Sequence, residues 1–145
     1  MINDNRMKHM LGVARKMYNM TEGDESLKRK MWLIGFLHDV GYEWDESLRH
    51  GIESANLINE VFGKNDISIY IRNHGTPAIV DDVQDLLNYC DMTVDYDGTP
   101  CTIGQRLANI EKRGKDTVYL KLMLRQNKFA EKEMEEYDKE QQENN

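Results

Sequence analysis

Four histidines and two acids in this chain stand where their side chains could act together: His9, His38, His50, His74, Asp39 and Asp91. His9 precedes Val13 by four residues and Met17 by eight, so it shares the apolar face of a helix. His38 follows Ile34 by four and Met31 by seven, with Asp39 immediately after it. His74 follows Ile71 by three, His50 opens a segment carrying Ala55 and Leu57, and Asp91 follows Leu87 by four. A carboxylate carried into a core is costly unless it is paired or binds a metal. Two acids and at least two histidines therefore point towards one core, and imidazole with carboxylate suits iron, manganese, zinc or nickel. Taken singly, the histidines have plainer readings: a hydrogen-bonded core residue, a helix-entry residue at His50, a helix-dipole partner at His74. Adjacent helical residues lie about 100° apart, so His38 and Asp39 reach one ion together only at a helix end. Gly41 is expected to supply that end in the left-handed conformation.

Helical spacing dominates the elements that must position these residues, and seven segments are predicted. The first runs from about Asp4 to Asn19, and the second follows an N-cap at Asp24 and ends near Asp39. The third covers Leu48 to Phe62, the fourth Asp66 to Asn73 and the fifth Val80 to Asp91. A sixth starts after an N-cap at Thr102 and ends at Gly114, and a seventh runs from Asp116 past Phe129. That last helix either extends into the Gln- and Asn-rich tail or gives way to disorder. The expected fold class is all-α, with residues 1–130 as one metal-binding helical domain and 131–145 as an acidic tail.

The 145 residues suit a single domain, and 31% of them are charged. Net charge is −7, against general nucleic-acid binding, and the tail carries −5 of it. No apolar run approaches the roughly 18 residues of a membrane span. The polar stretch Met1 to Lys8 is no secretory signal, so the cytoplasm is the expected compartment. Cys90 and Cys101 fit no zinc spacing and are expected to be free thiols.

The order of the six residues, with their local phrases, resembles the HD-domain superfamily of metal-dependent phosphohydrolases. Lys8-His9-Met10-Leu11-Gly12-Val13-Ala14 resembles the family's first helix. Phe36-Leu37-His38-Asp39-Val40-Gly41-Tyr42 is similar to the HD-I-G form of the signature, with Val40 for isoleucine. His50-Gly51-Ile52-Glu53-Ser54-Ala55, Ile71-Arg72-Asn73-His74 and Tyr89-Cys90-Asp91-Met92-Thr93 resemble the later histidine sites and the closing aspartate. The segment from Asp97-Gly98 to Arg106-Leu107 resembles small stand-alone members. The likeness spans about Lys8 to Arg113.

The resemblance implies a compact α-helical bundle of five core helices and a binuclear centre. His9, His38, Asp39 and Asp91 would bind one divalent ion, and His50 and His74 a second, with Asp39 bridging. Asp39, His50 and His74 would hold the catalytic water for attack on a small phosphorylated substrate, foremost a nucleotide. Arg49, Arg72 and Arg106 are the candidate phosphate-binding cations; the first two are chosen for their nearness in sequence to His50 and His74. Two departures bear on substrate. Tyr42 stands where many two-metal relatives carry a lysine, and Glu43 lies near, but not at, the position of an acid–base glutamate in single-metal nucleotidases. The same ligand set also suits a di-iron oxygenase, and a non-catalytic metal- or ligand-binding module is the third reading. Substrate, metal identity and oligomeric state have no readable code in the chain.

Overall fold

The computed structural model describes residues 2–42, 50–78 and 81–144. Among these residues the fold is all helix: α1 Asp4–Met20, α2 Glu25–Leu37, α3 His50–Phe62, α4 Ser68–Asn73, α5 Asp82–Asp91, α6 Ile103–Lys112, α7 Val118–Gln126 and α8 Glu131–Glu143. The one β feature among the described residues is an isolated bridge between Val94 and Pro100. Among the described residues, no helix is long and apolar enough to cross a membrane.

Side-chain caps fix several helix starts. Asn3, Asp24 and Asp81 accept from the backbone N–H groups of Arg6, Leu27 and Val83, relieving donors that the first turn leaves without partners. Thr102 and Gln105 form a reciprocal capping box at the start of α6. Two apolar clusters result. Val13, Met17, Met31, Ile34, Ile58, Ile71 and Leu87 join α1 to α5. Met92, Ile103, Leu107, Met123, Leu124 and Met134 join α6, α7 and α8.

Several expectations change. Gly41 is absent from the glycines with positive φ, so left-handed geometry does not end α2. Glycine is needed there for close approach: an added Cβ would stand 2.5 Å from the Ser54 backbone nitrogen. The helix expected past Phe129 stops at Gln126, because the Asn127 amide turns inward to donate to the Asp85 carbonyl at 2.8 Å. The acidic tail is neither an extension of α7 nor disordered over Glu131–Glu143; it forms α8. That helix buries Met134 and pairs Asp138 with Arg125 at 3.0 Å. Helices α4 and α5 begin two residues later than expected, at Ser68 and Asp82, and the expected start of α3 at Leu48 falls outside the described residues.

Candidate metal centre

Helix ends bring the six side chains together. His9 stands on the buried face of α1, His38 caps the C-terminus of α2 and Asp39 follows it into the turn. His50 is the first residue of α3, His74 caps α4 and Asp91 is the last residue of α5. Gly51 lets α3 approach α4: an added Cβ would lie 2.9 Å from the Arg72 carbonyl oxygen. His50 and His74 consequently meet, with their Nε2 atoms 2.8 Å apart.

The carboxylates sit among the imidazoles. Asp91 Oδ1 lies 2.9 Å from His9 Nε2 and 3.2 Å from His38 Nε2. Asp39 divides its two oxygens. Oδ1 faces His50 Nε2 at 3.2 Å and His74 Nε2 at 3.3 Å; Oδ2 faces His38 Nε2 at 3.3 Å and His9 Nε2 at 3.7 Å. His9, His38, Asp39 and His74 are all buried.

The other ring nitrogen of three histidines is tied to the backbone. Nδ1 of His9, His38 and His74 lies 2.9, 2.6 and 2.6 Å from the carbonyl oxygens of Asp95, Gly35 and Ile71. A carbonyl accepts, so each Nδ1 carries a proton and a ring in its neutral form turns a bare Nε2 lone pair inward. Bare nitrogens facing carboxylate oxygens repel unless positive charge stands among them. This is the outer-shell arrangement that orients metal-ligating histidines. Without a metal, a proton on His38 supplies that charge. Burial opposes it, but the charges of Asp39 and Asp91 prevail and push the imidazolium up to about 10. Burial likewise acts to raise both carboxyls, yet the His38 charge and the imidazole hydrogen bonds hold them well below the usual range. His74 shifts down, first through burial, so its neutral ligand form is favoured. The donor atoms of His9, His38 and Asp91 all lie within 4.8 Å of one another, as do those of His38, Asp39 and His74; either trio could hold a metal ion.

The centre opens into a cavity of about 660 Å³, with Asp39, His50, His74 and Asp91 in its lining. Of the described arginines expected to bind phosphate, Arg106 is found there and Arg72 is not. Arg106 is buried, its Nε donates to the Asp91 carbonyl at 3.4 Å, and its Nη1 and Nη2 lie 3.5 Å from Asp95 Oδ1 and 3.8 Å from Asp91 Oδ1. Arg72 is exposed and outside the lining, because a step of two residues along a helix turns its side chain away from that of His74. Arg49 and Glu43 lie outside the described residues.

The cavity also holds groups that the sequence reading passes over. Arg6 Nη1 donates to Asp39 Oδ2 at 2.7 Å, and its guanidinium stacks 3.6 Å from the Tyr42 ring centroid. Lys115 Nζ donates to the Tyr42 hydroxyl at 3.2 Å. Arg6 had a readable signal, since it lies three residues before His9 on the same helix face. Lys115 had none, since only the folded chain brings it to Tyr42.

No curated protein and no solved structure matches the chain. A family model does, that of the HD domain, over residues 6–112, which contain all six converging side chains. With most of its length matched, the chain belongs to the HD domain family.

Proposed function

We propose that the protein is a metal-dependent phosphohydrolase acting on a small phosphorylated molecule, foremost a nucleotide. One observation carries the reading: three imidazoles fixed by backbone carbonyls and two buried carboxylates converge at the lining of a cavity. His9, His38, Asp39 and Asp91 would hold one divalent ion and His50 and His74 a second, with Asp39 shared. Iron, manganese, zinc and nickel all suit these donors. When bound, such ions polarise a phosphoryl oxygen and bring the pKa of water to about 7.

The remaining work falls to the chain. Because Asp39 offers one oxygen to each half of the set, a single carboxylate keeps both halves in register. Carbonyl bonds at Nδ1 stop the His9, His38 and His74 rings from rotating and keep Nε2 directed inward. His50 and His74 line the cavity, where the attacking water and the phosphorus would meet. Arg106 brings to the cavity lining a buried guanidinium held against the Asp91 and Asp95 carboxylates, so charge gathered on phosphate would be met by a fixed cation. The cavity of about 660 Å³ falls within the range of small-molecule sites.

The test is phosphate release from a panel of nucleotides and simpler phosphate esters, with each of the four metals added in turn. Release should depend on metal and fall to background in Asp39→Ala, with circular dichroism confirming that the variant is folded. Full activity in that variant would contradict the mechanism.

A further inference from the structure

The family match ends at residue 112, yet the cavity is completed by residues beyond it. Lys115, Tyr119 and Leu120 all line it. Lys115 reaches Tyr42, which lines the same cavity, and the Leu120 side chain lies 3.8 Å from where a Cβ on Gly75, the residue after His74, would stand. Helix α6 contributes Arg106 and Ile110, four residues apart and so on one face. Cations and an apolar wall thus adjoin the same centre. A small, fully hydrated phosphate ester would engage the cations and leave the half-buried Leu120 and the exposed Tyr119 facing water. A ligand carrying a ring beside its phosphate would cover them.

We propose that the segment beyond the family match selects the ligand of this site: Lys115 meets an anionic oxygen of the phosphate group, and Tyr119 and Leu120, with Ile110, receive a ring on the same molecule. The ligand class is then a phosphate ester of an aromatic or ring-bearing alcohol. This rests on reading the site as that of a phosphohydrolase.

The experiment titrates the manganese-loaded full chain calorimetrically with phenylphosphonate and with methylphosphonate, which share a head group and resist hydrolysis. Phenylphosphonate should bind at least about tenfold more tightly, since even one methylene in an apolar pocket is worth about that much. Leu120→Gln should remove most of this preference and leave methylphosphonate binding little changed. Tyr119→Ser, at a position 62% exposed, serves the same purpose if Leu120→Gln lowers the melting temperature. Lys115→Met should weaken both ligands alike and preserve their ratio. Equal affinities in the unmodified chain, a preference that survives both wall substitutions, or no binding of either phosphonate would overturn the proposal. Phosphate release from phenyl phosphate, measured on the same preparation, separates the two claims. Selective binding without release sinks the hydrolase reading alone, whereas release without selective binding sinks the selectivity alone.

Discussion

His50 and His74 hold their Nε2 atoms 2.8 Å apart, and both atoms stand within 3.3 Å of the same oxygen, Oδ1 of Asp39. His74 donates its Nδ1 proton to the Ile71 carbonyl, so its neutral ring presents a lone pair to this meeting point. Three electron-rich atoms at such distances require a proton or a cation among them. The other Asp39 oxygen repeats the pattern with His9 and His38, and there the Arg6 guanidinium supplies part of the charge. The centre is built around a demand for positive charge, and its responses to substitution follow from that demand.

Arg6→Met should destabilise the metal-free protein by about 3 kcal/mol, because it leaves the buried Asp39 carboxylate short of a charged donor. Saturating manganese should reduce the loss, since a cation among the ligands answers the same charge. Urea denaturation of both proteins, with chelator and with metal, measures it. An equal loss in the two conditions would show that Arg6 acts through packing on Tyr42 alone.

Much of this was legible in the chain, for identifiable reasons. Apolar spacing puts His9, His38 and Asp91 on core-facing positions of their helices, and a core does not accept bare acids, so their meeting is implied before any coordinates. Asp24 and Thr102 act as caps because local chemistry decides a cap. The failures are non-local. Gly41 looks like a helix stop, but its role is set by Ser54 thirteen residues on. Arg72 is close to His74 in sequence and turned away in space. Lys115 meets Tyr42 across 73 residues, and no local pattern records such a contact.

The tail gives a second prediction. Met134 is 2% exposed and lies in the cluster that also holds Met92, the neighbour of Asp91. Met134→Ala should lower stability by about 2–3 kcal/mol through the lost burial and the cavity left behind. Asp138→Asn, which breaks a half-exposed pair with Arg125, should cost at most about 0.5 kcal/mol. Thermal melts of the two variants check the contrast. A negligible effect of Met134→Ala would mean that α8 is not docked through this residue.

Cys101 gives a third. Burial and then the Asp95 charge push its thiol up to about 11. The thiolate is the reactive form, so a raised value makes the residue sluggish near neutrality. Its alkylation by iodoacetamide, followed by mass spectrometry of the labelled peptide, should accelerate about tenfold per pH unit from 7 until close to 11. A plateau near pH 9 would show an ordinary exposed thiol.

The most direct test is metal stoichiometry. The protein, purified anaerobically without chelator, and the His50→Ala/His74→Ala double variant are compared by elemental analysis. Two ions per chain should fall to about one in the variant, because His9, His38, Asp39 and Asp91 remain. Absence of metal from both proteins, even after reconstitution with iron, manganese, zinc and nickel, would contradict the account.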